Sequence, residues 1–309
     1  MPVSEMVMTR ADESVVSLRA GASELGVAPA IGGSIAWFRT RVGSRTIDWL
    51  RPATEAALAA GDAGAMSCFP LVPFSNRIRE GKFRFAGRGV QLPLNVPGQR
   101  HCEHGHGWQA PWRAIAQSEA SLTVEYRHPA GAWPFPYSAW QIFRLEPEWL
   151  TVEIAVKNTG SEPMPIGIGL HPYFPRTPRT TLTAHVDRIW DTDDEVMPIG
   201  LSDLPAECRM SEGLRVDGAA LDNGFTGWSR RAEIEWPENH ARLVMTADQP
   251  LGFLVVYTPP DEGFFCAEPV SNCTDAFNLA GQGRTDTGMA VLAPGKTLRA
   301  AVAFTPSVS

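Results

Sequence analysis

The dominant pattern along the chain has a period of two. In "WLTVEIAVKNTG", Leu150, Val152, Ile154 and Val156 fall on one face, with Thr151, Glu153, Ala155 and Lys157 on the other. That alternation predicts a half-buried strand ended by a turn. "GKFRFAGRGVQLPL" places Phe83 and Phe85 inward, turns at Gly87 to Gly89, and brings Val90 and Leu92 inward again, the signature of a hairpin. Further short strands are predicted at "SLTVEYRH", "ARLVMTAD", "GFLVVYTP" and "TLRAAVAFTP", and 26 prolines and 28 glycines interrupt the chain too often for many helices. The one helix-like piece is "ATEAALAAG", residues 53–61, closed by Gly61 as a C-cap. No fixed-period repeat, low-complexity tract or linker-like shift divides the chain. The pattern predicts an all-β protein with antiparallel pairing, residues 1–309 forming a single domain.

Composition narrows the function classes. A formal charge of −7 leaves no basic patch for a phosphate backbone, so nucleic acid is not an expected partner. No apolar run approaches the ~20 residues needed to cross a bilayer, and the start "MPVSEMVMTRADES" lacks the order of a secretory signal. A soluble cytoplasmic protein without membrane contact is the expectation. The five cysteines, at 68, 102, 208, 266 and 273, are odd in number, scattered and free of any CxxC pair. That argues against a disulfide framework or zinc ribbon and for buried small hydrophobes.

The densest candidate chemistry is "HCEHGHGW", residues 101–108, which holds three of the chain's seven histidines. On a regular strand His104 and His106 would share a face, the opening of a cupin-type metal site. Such a site also wants a nearby carboxylate, but the next acidic residue after His106 is Glu119, and Glu103 would point to the opposite face. The alternative is a polar loop whose glycines permit a turn or a close backbone approach. That reading suits His101 and His106, which stay undecided between rim contacts and turn residues.

Four separate stretches add polar groups to apolar surroundings. "FPLVPFSNRIREGKF" carries Asn76 and Arg77, "GIGLHPYFP" carries His171, "LDNGFTGW" carries Asp222, and "FFCAEPVSNCTDAFN" carries Glu268 directly after a hydrophobic strand. A charge at the end of a buried strand is costly unless paired or used, so each is a site candidate. Each also has an ordinary reading as a surface cation, a core histidine, a turn residue or a solvated strand end.

Together, "SNRI", "HGxGW", "GxGLHPYF", "LDxxF", "CxEPxSxxxDAFN" and a closing "VLAPGKTL" resemble, in order, the aldose 1-epimerase or galactose mutarotase-like family, over about residues 25 to 305. The resemblance implies a large antiparallel β-sandwich of the galactose mutarotase type, its site in a groove on one sheet, working without metal or other cofactor as a monomer or homodimer. It further implies His171 as general acid, Glu268 as general base and His104 as a second histidine at the reacting end of a monosaccharide. Arg77, Asp222 and Asn76 are implied as hydroxyl-binding groups.

The implied chemistry needs few parts. Anomer exchange opens the sugar ring by taking a proton from the anomeric hydroxyl and giving one to the ring oxygen, then reverses both steps. A glutamate near its ordinary ~4.3 is ionised at neutral pH, while a histidine near ~6.5 needs a negative neighbour to stay protonated. Arg77 offers a fork of donors and Asp222 offers acceptors for vicinal hydroxyls. Trp108, Tyr173, Phe174 and Phe277 are the candidate aromatic surfaces for sugar C–H groups.

Two departures bear on the substrate. The galactose and glucose mutarotases usually carry an "HGG" turn, whereas "HGHGW" with Trp112 is nearer to the "HGFARxxxW" of hexose-6-phosphate mutarotases; the arginine of that motif is Trp108 here. A negative chain without basic residues on these loops favours a neutral sugar. A hexose-6-phosphate mutarotase and a non-catalytic carbohydrate-binding protein remain the alternatives.

Overall fold

The computed structural model describes residues 15–308. Nearly every predicted strand is present. "SLTVEYRH" is the strand Ser121–His128, and the period-two stretch is Leu150–Asn158, with Leu150, Val152, Ile154 and Val156 fully buried and Lys157 exposed. Each such aliphatic side chain contributes roughly 1.5–3 kcal/mol on burial, and a slip of one residue would turn Glu153 and Lys157 into the core. Register is therefore fixed by the pattern itself.

The strands form two large antiparallel sheets. One has eleven strands; its centre runs in the order Cys68–Leu71, Gly169–Pro175, Phe264–Val270, Phe253–Tyr257 and Asp222–Thr226. The other has nine and runs from Arg113–Gln117 through Ser121–His128, Tyr137–Leu145, Leu150–Asn158 and Thr297–Val308 to Ala241–Ala247 and beyond. Side chains of both sheets, among them Phe38, Phe174, Phe225 and Phe265 from the first and Phe143, Val152 and Phe304 from the second, join in one apolar cluster. This is the β-sandwich that the family resemblance implies, built from the antiparallel strands that the alternation predicts.

Three local expectations are corrected. The hairpin of Lys82–Phe85 and Arg88–Gln91 turns at Ala86–Gly87 rather than at Gly87–Gly89, because Phe85 pairs directly with Arg88. The helix predicted over 53–61 spans Glu55–Ala60 and is closed by Gly61 as its sequence predicts, with Thr54 as its N-cap, but a second helix, Ala276–Gly281, was not foreseen. It is only six residues long, and Asp275 at its start makes no side-chain cap, so neither periodicity nor a capping signal marks it. Finally, "HCEHGHGW" is not a regular strand: Cys102–Glu103 pairs with Arg77–Ile78, Gly105 makes a single bridge to Val72, and His104 lies at φ 58°. No helix among the described residues is long and apolar enough to cross a membrane.

Candidate active site

The centre of the eleven-stranded sheet presents alternate residues of neighbouring strands to one cavity. Within Gly169–Pro175, His171 and Tyr173 share a face; across the ladder His171 lies opposite Phe69, Val255 opposite Glu268, and Asp222 opposite Tyr257. Phe69, His171, Tyr173, Asp222, Val255, Tyr257 and Glu268 all line one cavity of ≈ 250 Å³. Asn76, Arg77, Glu103, His104 and Trp108 close it from the loops. All six site residues expected from sequence thus meet in one place.

The loops are held by their own backbones. His104 N–H donates to Asn76 O at 2.8 Å, and Asn76 N–H donates to His104 Nδ1 at 3.1 Å. Because Nδ1 accepts, the neutral imidazole carries its proton on Nε2. Asn76, at φ 59°, also caps Arg77 N–H through its Oδ1 at 2.8 Å, while its side-chain amide donor makes no hydrogen bond among the described residues. Gly105 and Gly107 allow close approach, but to protein rather than to ligand: a Cβ at either would overlap Val72. The close backbone approach expected of these glycines is thus made to Val72.

His171 and Glu268 sit side by side in the cavity. Nε2 of His171 lies 3.3 Å from Glu268 Oε1, and the imidazoles of His171 and His104 meet edge to face at 5.1 Å. Both residues are buried, and His171 Nδ1 and Glu268 Oε2 have no hydrogen-bond partner. Burial, reinforced by Asp222, pushes the Glu268 carboxyl well above the usual carboxylate range. Burial, with His104 and Arg51 nearby, holds His171 well below the usual histidine range, and burial beside Arg77 brings His104 down to about 3. The ordinary values assumed from sequence therefore do not apply, because desolvation favours the neutral forms. Burial thus favours the neutral form of both Glu268 and His171.

Arg77 is already paired. Its Nε donates to Glu103 Oε1 at 3.0 Å, and its NH2 group lies 4.0 Å from Asp222 Oδ2. Asp222 is raised by burial and lowered by Arg77. Glu103 was expected to point away from the histidines' face; its pairing with Arg77 across the short ladder brings it into the cavity instead. Asn95 fixes this loop by accepting from Glu103 N–H at 2.8 Å and donating to the carbonyls of Glu103 and Gly105 at 2.7 and 2.9 Å. The acidic residue beside His104 was a legible signal for Glu103; for Asn95 the sequence holds none.

The other candidates separate. Trp108 and Tyr173 line the cavity, whereas Phe174 packs on Phe265 and Phe277 on Phe74, Phe83 and Trp133 in the core. His101 accepts from Glu80 N–H at 3.0 Å and faces Glu195, away from the site. His106 shares a hydrogen bond of 2.8 Å with Tyr137 and stacks 4.2 Å from His128 beside a second cavity. His104 and His106 do not share a face, so the geometry behind a cupin-type HxH pair is absent; among the described residues no group of three or more metal-binding side chains is arranged to hold an ion.

The sequence and the fold both match known proteins. The family model described as aldose 1-epimerase covers residues 14–305. The chain belongs to the aldose 1-epimerase family. The uncharacterised Escherichia coli K12 protein YphB is 35% identical over 261 residues, spanning 82% of this chain and 86% of YphB. The crystal structure of a candidate aldose 1-epimerase from the same organism superposes with a TM-score of 0.85 at 30% identity, covering 96% of this chain and 99% of that one. A galactose 1-epimerase from Lactobacillus acidophilus shares the fold, with a TM-score of 0.75, 14% identity and coverage of 99% and 98%. Residues spread over 192 positions, from Asn76 to Glu268, converge on one cavity.

Proposed function

We propose that the protein is an aldose 1-epimerase that interconverts the α and β anomers of a free, neutral aldose. The observation that carries this reading is the His171–Glu268 pair at 3.3 Å, with an unpartnered buried carboxylate oxygen beside it. A cavity of ≈ 250 Å³ lies below the about 300–1,000 Å³ usual for drug-sized ligands and suits a single sugar ring.

When a sugar enters, its anomeric hydroxyl donates to Glu268 Oε2, which favours the carboxylate and shifts the shared proton to His171. Glu268 then takes the proton from O1; the electrons of the O1–H bond form the C1–O1 double bond, the C1–O5 bond breaks, and O5 takes the proton from His171. Rotation about C1–C2 exposes the other carbonyl face. Closure returns each proton to its donor, so the protein is regenerated without net proton exchange. His104, with its proton on Nε2, offers a neutral hydrogen-bond donor at the reacting end, and Asn76, Arg77 and Asp222 hold the remaining hydroxyls.

Neutral sugar is favoured over phosphorylated sugar because Arg77, the cation lining the cavity, is neutralised by Glu103 and faces Asp222. The test follows optical rotation of freshly dissolved α-galactose, α-glucose and a pentose panel with the wild type, Glu268→Gln and His171→Asn. The reading requires faster relaxation to an unchanged final rotation, lost in both variants. Sugar binding without acceleration would instead identify a carbohydrate-binding protein.

A further inference from the structure

Flat groups pack in series from Arg51 to His171. The Arg51 guanidinium lies 4.0 Å from the centre of the Tyr173 ring, and Tyr173 stacks on His171 at 4.7 Å and 22°. Phe69 packs against both rings, 4.5 Å from His171 and 6.0 Å from Tyr173, and stacks on Trp108 at 5.0 Å. Phe264 lies 4.5 Å from the same guanidinium and meets Tyr173 edge to face at 5.2 Å. Arg51 is half-buried: its guanidinium donates to Met66 O at 2.9 Å, its backbone N–H donates to Tyr173 O at 2.8 Å, and the carboxylates of Asp62 and Glu262 act on it without forming an ion pair among the described residues. Withdrawing a cation from water is costly, and the aromatic faces offset only part of that cost.

We propose that Arg51 is a positioning residue for the His171–Glu268 pair: it covers the Tyr173 ring that stacks on His171 and so sets the plane of the imidazole, and its charge acts on the His171 proton across Tyr173. The inference rests on the mutarotase reading for its kinetic consequences. Every charged or titratable group facing His171 enters the balance: Glu268 from the neighbouring strand, His104 from the loop, Cys68 from the strand on the other side, Tyr173 on its own strand, and Arg51 behind Tyr173. Cys68 and Tyr173 are pushed up by burial and stay neutral. Glu268 and Arg51 therefore pull the imidazole in opposite directions, and Arg51 disfavours a resting imidazolium. A proton that reaches His171 only when substrate ionises Glu268 is then given up readily to the ring oxygen.

Burial, His104 and the charge of Arg51 together hold the His171 titration down. Arg51→Gln removes both charge and cap. In this variant kcat falls about tenfold with KM within about twofold, and the acid limb of the kcat profile moves up. Arg51→Lys keeps the charge but not the planar cap, so the limb stays in place while kcat falls severalfold. A purely structural arginine would lower thermal stability in Arg51→Gln and leave the limb where it is; that result overturns the proposal. Should Arg51→Gln not fold, an unchanged kcat in Arg51→Lys overturns it equally. Titration of the His171 imidazole by NMR in wild type and Arg51→Gln reads the same shift whether or not any sugar is turned over. An upward shift without mutarotation refutes the functional reading alone; mutarotation with an unmoved titration refutes the role of Arg51 alone.

Discussion

Gly105→Ala tests whether the loop that carries His104 is held by backbone contact. Gly105 lies at φ +71°, where an L side chain costs roughly 1–2 kcal/mol. The added Cβ would overlap Val72 O and come within 2.6 Å of both Val72 C and Pro73 Cδ. Neither is the free end of a flexible side chain, so the loop must move by about 1 Å; strain and lost hydrogen bonds together come to about 3–5 kcal/mol. That is a large share of the roughly 5–15 kcal/mol stability of a typical domain. The displacement carries His104, whose N–H and Nδ1 both pair with Asn76, and a shift of that size costs about 10² in kcat. Gly98→Ala is the matched control: φ is +79° but nothing lies within 4 Å of the new Cβ, so it costs only the roughly 1–2 kcal/mol of conformation. Denaturant unfolding and mutarotation rates on the two variants read both effects. Equal stability and equal rates in Gly105→Ala and Gly98→Ala would refute the reasoning.

Three further outcomes follow from the site. The kcat profile stays flat through the ordinary histidine range, because a raised Glu268 and a depressed His171 keep one shared proton on the pair over a wide window. Activity falls on the acid side only below that range, when the pair gains a second proton, and on the basic side when Glu268 loses its own; an acid limb near ~6.5 would contradict this. Glu103→Gln unmasks Arg77, and inorganic phosphate then inhibits roughly five- to tenfold more tightly than in the wild type; unchanged inhibition would show that Glu103 does not set the charge of the site. Asp222→Asn raises KM more than it lowers kcat, and an equal fall of kcat with unchanged KM would place Asp222 in the proton transfer instead.

The strands and their buried faces were legible because alternation is a local signal that burial enforces, as at Leu150–Asn158. The groups proposed to react were legible too: a histidine or glutamate embedded in an apolar strand is conspicuous, and His171 and Glu268 lie on adjacent strands. What sequence concealed lies in long-range backbone support. The left-handed conformations of Asn76 and His104, the grip of Asn95 on the loop, and the placement of Arg51 behind Tyr173 depend on pairings between distant segments. The proton balance was hidden for a related reason, since it follows from complete burial of Glu268 and His171 rather than from their identity.

The central claim is that this pair moves protons on a bound sugar, and magnetisation exchange between the α and β anomeric protons of a free aldose tests it most directly. With wild type, exchange is accelerated at neutral pH. With Glu268→Gln the sugar still binds, since its hydroxyl contacts remain, but the acceleration falls by about 10² to 10⁴. Binding of the same aldose by wild type without faster anomer exchange, or full acceleration by Glu268→Gln, would contradict the account.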